Sequence, residues 1–79
     1  MERPVLNLDA IYKAMIQKNL GIPALAEKTG LTRHRVARIM RGRPPRIIEI
    51  HSILTNLGLM DRVKELVTMK DLPQRNNHI

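Results

Sequence analysis

Apolar residues along this 79-residue chain recur with the period of an α-helix, in blocks separated by glycine and proline. Leu8, Ile11, Tyr12, Met15 and Ile16 repeat at i, i+3, i+4, i+7 and i+8, which predicts one buried helix face running to about Asn19. Asn7 is placed to cap it, and Asp9 in its first turn complements the helix dipole. Gly21 breaks the pattern. Pro23 suits the first turn of a second helix, with Leu25 and Ala26 facing inward and a stop at Thr29 and Gly30, where glycine accepts the positive φ of a helix end. Thr32 is the next capping residue, and Val36, Ile39 and Met40 form the apolar stripe of a third helix whose other faces are almost entirely arginine. Gly42 ends it, and Pro44 and Pro45 forbid continuation. A fourth helix follows from residue 45 or 46 to Leu57, with Ile47, Ile50, Ile53, Leu54 and Leu57 inward, and Gly58 stops it. Leu59, Met60, Val63, Leu66 and Val67 keep the same spacing in a fifth. No alternation suggests a strand and no segment repeats. The expectation is an all-α, compact five-helix fold. One domain spans residues 1–69, residues 1–5 form a frayed arm, and residues 70–79 form a flexible polar tail.

Length and composition narrow the class. A single core this small is marginal and often gains from a partner subunit. With no cysteine there is no disulfide and no thiolate metal site, which fits a reducing cytoplasm. No apolar run approaches the ~18 residues a membrane span needs, and no signal peptide is evident. Charge changes the picture most. Fourteen Lys and Arg stand against seven Asp and Glu, a net charge of +7. Six of those cations, Arg33, Arg35, Arg38, Arg41, Arg43 and Arg46, fall between residues 32 and 46 with no acid among them. That clustering points to a polyanion as partner. The single tyrosine and the lack of Phe and Trp leave almost nothing on which single-stranded bases stack, so a duplex is the expected polyanion.

Residues 22–41, IPALAEKTGLTRHRVARIMR, resemble the helix-turn-helix of the Cro/repressor (XRE) superfamily. Leu25 and Ala26 stand where that family has an apolar residue followed by a small one, which lets the two helices cross closely. Gly30 stands at the turn glycine, Leu31 at the apolar plug after it, and Val36 and Ile39 at the two aliphatics that seat the second helix. Gly42 matches the glycine that often closes the recognition helix. The resemblance extends over about residues 8–67 and implies a lambda-repressor-like domain that reads double-stranded DNA in the major groove. It implies base contacts from Thr32, Arg33, His34, Ala37 and Arg38, with Arg33 and Arg38 suited to guanine O6 and N7 and Ala37 to a thymine methyl. It assigns Arg35, Arg41, Arg43 and Arg46 to phosphates, which give affinity and register rather than sequence. One position departs: where many members carry Gln at the start of the second helix, this chain has Ile22 followed by Pro23, so that side-chain contact is not implied.

The remaining residues read more plainly. His51 is expected as a partly buried structural histidine, His78 as part of the tail, and Tyr12 as core with its hydroxyl at the surface. Met15, Met40, Met60 and Met69 fill gaps or interfaces. Ser52 is the only serine, the acids are scattered singly, and no triad, carboxylate pair, phosphate loop or zinc spacing exists, so neither catalysis nor a cofactor or metal is expected. Ile48, with Leu59, Met60, Val63 and Val67, exceeds what so small a core requires, and the family usually dimerises through this region. The resulting expectation is a cytoplasmic, DNA-associated homodimeric autorepressor on a palindromic operator, its recognition helices about 34 Å apart. Two other readings stay open: an antitoxin whose partner is a toxin, and a non-specific DNA-binding protein. The sequence leaves undecided whether the setting is a phage repressor, an antitoxin, a restriction–modification controller or an anti-CRISPR-associated regulator, and whether RNA polymerase is contacted.

Overall fold

A computed structural model describes residues 2–71 of the chain. The order is β1 (Glu2–Leu6), α1 (Leu8–Gln17), α2 (Ile22–Thr29), α3 (Arg33–Met40), α4 (Ile47–Asn56), a 3₁₀ turn (Met60–Arg62), α5 (Val63–Leu66) and β2 (Val67–Asp71). Five helices dominate, as their periodicity predicts, but the fold is not purely helical. β1 and β2 pair antiparallel, from Glu2 opposite Asp71 to Leu6 opposite Val67.

The helix boundaries follow local chemistry. Asn7 Oδ1 accepts from the Ala10 N–H at 3.2 Å, satisfying one of the amides a helix start leaves open. α1 ends two residues sooner than expected because Asn19 takes a left-handed conformation, φ +56°, and the Leu20 N–H returns to the Met15 carbonyl at 2.8 Å. α2 ends at Gly30, φ +78°. Thr32 Oγ1 caps α3 through the Arg35 N–H at 3.0 Å. The Glu49 carboxylate accepts from the Arg46 N–H at 2.7 Å, half of a capping box at the start of α4.

The core lies where α1, α2, α3 and α4 meet. Ile11, Leu25, Val36, Ile39, Ile53 and Leu54 are at most 1% exposed, and each such side chain contributes roughly 1.5–3 kcal/mol by leaving water. Leu6 and Leu66 join this cluster from the sheet side. Two strands alone are marginal in water. Here Leu6 and Val67 anchor the pair on the helices, and the Asn7 N–H donates to the Leu66 carbonyl at 2.8 Å, tying the start of α1 to the end of α5.

Several expectations are corrected. The arm at residues 1–5 is, from Glu2 onward, a strand, and Lys70 and Asp71, expected in the tail, belong to β2. The rest of that tail, residues 72–79, and Met1 lie outside the described residues. The fifth helix is shortened because Val67 is drawn into the ladder and residues 60–62 tighten into the 3₁₀ turn. Ile16 (76% exposed) and Ile47 (74%) face solvent. In α1 the buried stripe is Ile11, Ala14 and Met15, and Ile16 lies well off its centre. In α4 the stripe starts at Ile50, so Ile47, one turn earlier, overruns the core. Tyr12 is 43% exposed rather than core, and its hydroxyl, expected free at the surface, donates to the Met40 carbonyl at 3.4 Å. His51 is exposed, because the inward side of α4 is taken by Ile50, Ile53 and Leu54 and by the half-buried Ser52.

Candidate nucleic-acid interface

α2 and α3 form a tight pair joined by residues 30–32. Ala26 is 3% exposed and Leu25 and Val36 are fully covered. Ala26 is among the buried residues of α2, and Leu31, within the turn, is half-buried against the core. Thr29 Oγ1 donates to the Leu25 carbonyl at 2.8 Å, and the Thr29 carbonyl accepts from Ser52 Oγ at 3.1 Å. The second of these bonds fastens the end of α2 to α4, so the pair is braced from behind.

With Val36, Ile39 and Met40 buried, helical geometry puts His34, Ala37, Arg38 and Arg41 on the opposite face of α3. Thr32, Arg33 and His34 are exposed at its start, Ala37 and Arg38 are half-buried one turn later, and Arg41, Arg43 and Arg46 are exposed at and beyond its end. The sequence-predicted residues thus fall into an α3 face of His34, Ala37, Arg38 and Arg41, the exposed Thr32 and Arg33 at its start, and Arg43 and Arg46 in the loop that follows, with Arg35 turned toward α4. α3 has no acid in its first turn. Arg33 and Arg35 there oppose the helix dipole and disfavour the helix, while adding to the positive potential an anion meets.

Arg35 stands apart from the other arginines. Its Nε donates to Glu49 Oε2 at 2.6 Å and its Nη2 to Glu49 Oε1 at 2.7 Å. The geometry is a two-point fork. The hydrogen bonds from Arg35 hold the Glu49 carboxyl below the usual carboxylate range, against the upward push of burial. Arg35 is thus tied to α4, unlike Arg41, Arg43 and Arg46, which form no ion pair among the described residues. Glu49 is the residue bonded to the arginine segment that the sequence reading missed. Its signal was the spacing Arg46-x-x-Glu49, a carboxylate three residues after a helix cap.

The residues assigned to dimerisation differ in exposure. Ile48 is 75% exposed, but Leu59, Met60, Val63 and Val67 are half-buried against the protomer's own core. The large apolar side chain next to Ile48 in solvent is Ile47.

Among the described residues no group of three His, Cys, Asp or Glu is placed to hold a metal, and no helix is long and apolar enough to cross a membrane. An open cleft of about 460 Å³, lined by Asn7, Asp9, Lys13, Gln17, Leu59 and Arg62 among others, shares no residue with the arginine segment. Compared with known proteins, the chain matches no family, no curated protein and no solved structure.

Proposed function

We propose that this protein is a sequence-specific, double-stranded DNA-binding transcriptional regulator built on a lambda-repressor-like helix-turn-helix. One observation carries the reading. The second helix of a packed, braced helix pair is rich in arginine, with Arg33 exposed at its start and Arg38 half-buried on the face away from the core, and the one carboxylate bonded to that segment is committed to Arg35 and the Arg46 amide. Such a face, continued by Arg41, Arg43 and Arg46, matches what a major groove and its flanking phosphates require. Arg33, His34, Ala37 and Arg38, with Thr32, read base edges. Arg41, Arg43 and Arg46 grip phosphates.

The protein works as a homodimer on an inverted repeat, occluding a promoter, its own among the candidates, in the compartment that holds the DNA. Ile47 and Ile48, adjacent and about three-quarters exposed just past the arginine loop, support self-association. They replace the half-buried residues of the 59–67 region as its expected centre.

Selection from a random duplex library at ~150 mM salt, with the winner re-titrated across salt, tests this reading. An inverted repeat with half-site centres about ten base pairs apart is expected. Binding without enrichment would favour a non-specific DNA-coating role, and no binding at all would direct attention to a protein partner such as a toxin. Sedimentation tests the dimer separately: Ile48→Glu should keep the helical circular dichroism of the wild type and release a 9.1 kDa monomer, with a melting temperature that no longer depends on protein concentration. A wild-type chain already sedimenting as that monomer at micromolar concentration would remove the dimer.

A further inference from the structure

Glu49 is the only charged residue in the core among the described residues, at 6% exposure. Its two oxygens accept three hydrogen bonds: two from the Arg35 guanidinium on α3 and one from the Arg46 backbone N–H at the end of the arginine loop. The residue itself belongs to α4. One carboxylate therefore joins the base-reading helix, the phosphate-gripping loop and the helix that braces both.

Two considerations argue against stability or attraction as the purpose of this arrangement. A buried ion pair is commonly no more stabilising than apolar residues of the same volume. A negative charge behind a DNA-facing surface also weakens the field that draws phosphate. What a planar guanidinium in a two-point fork does provide is orientation, since it fixes angle as well as distance. DNA reading needs that, because base contacts from α3 and phosphate contacts from residues 41–46 must engage one duplex together within small positional tolerances.

We propose that Glu49, through Arg35 and the Arg46 amide, is a positioning residue that sets α3 against the arginine loop and so determines sequence discrimination. The proposal rests on the reading of the chain as a sequence-specific duplex binder. Arg35 is accordingly a strut rather than a phosphate clamp.

The test compares wild type, Glu49→Gln and the paired variant R35M/E49L on the selected operator and on a scrambled duplex of equal length. Helical circular dichroism and thermal melting are recorded for each. Glu49→Gln raises the net charge by one, so electrostatics alone predicts tighter binding to both duplexes. The positioning role predicts the opposite on the operator: roughly tenfold weaker binding or more, with scrambled-duplex binding equal or tighter, so the discrimination ratio collapses. R35M/E49L keeps the net charge and fills the same space without the fork. It is expected to fold and to lose discrimination, which decides the matter even where Glu49→Gln fails to fold. A folded variant of either kind that keeps the wild-type ratio overturns the positioning role alone. A wild type with no preference between the two duplexes overturns the functional reading and this proposal with it.

Discussion

Gly30 closes α2 in the left-handed region, φ +78°, and a Cβ built there would meet nothing within 4 Å. Substitution at this position therefore isolates the backbone term, with no clash to confuse it. Placing an L-residue in the left-handed region costs about 1–2 kcal/mol. An alanine also restricts the unfolded chain relative to glycine, which returns about 0.4–1 kcal/mol. The net loss for Gly30→Ala is then about 1 kcal/mol. For a domain of 60–100 residues this lowers the melting temperature by about 4–8 °C. Gly30→Asn should lose less, since asparagine tolerates this region, and Gly30→Val more, since a β-branched side chain does not. Thermal unfolding followed by helical circular dichroism orders the four proteins as Gly, Asn, Ala, Val. DNA affinity measured well below the melting temperature should change little for Ala and Asn, because no side chain intrudes on the helix crossing. An alanine variant that melts with or above the wild type would refute the left-handed turn and the helix-pair angle that depends on it.

Three further outcomes follow from the interface. Arg33→Ala and Arg38→Ala should each weaken operator binding by ~1–3 kcal/mol and relax preference at one base pair, read by binding to single-base operator variants; unchanged preference in both would displace α3 from the groove. Arg43→Ala should weaken every duplex alike and reduce the slope of log affinity against log salt by about 0.9; a change confined to one sequence would make it a base reader. The Glu49 carboxyl titrates lower in the fold than in the unfolded chain, so its contribution to stability is complete above the ordinary Glu value of about 4.3 and is lost as pH falls through the lower folded value. Melting temperature should therefore drop on that acid limb for wild type and flatten for Glu49→Gln; parallel curves would assign the acid sensitivity to other groups.

The four longer helices were legible because their punctuation is local: Asn7, Gly30, Thr32 and Pro44 each act within a few residues of the boundary they set. The sheet was not legible, because Glu2–Leu6 does not alternate, the alternation Val67, Thr68, Met69, Lys70 is only four residues long and begins on a residue that also fits the helical spacing before it, and Pro4 reads as a loop signal until its partner is known. In a two-stranded ladder every strand is an edge, where a proline is tolerated. Ile16 and Ile47 were misplaced for a related reason. Periodicity finds an apolar face but not where the core beneath it stops. The arginine face was readable from charge alone. Arg35 was not separable from its neighbours, because its partner lies fourteen residues away and only the folded chain brings them together.

The register of the small sheet also has a mechanical meaning. Glu2 lies opposite Asp71, so the strand ends nearest the two chain ends sit together, and the inner pair is Leu6 with Val67. Tension between the ends therefore opens the ladder like a zip, one cross-strand pair at a time, instead of shearing all of it at once. The next restraint met is the single Asn7 to Leu66 hydrogen bond, before any load reaches the helices. A machine that pulls on either end, such as an unfoldase feeding a protease, should find a soft first step, and single-molecule stretching should record it at lower force than helix unpacking. A domain fastened in this way is easily dismantled from its paired strands while α2 and α3 remain folded.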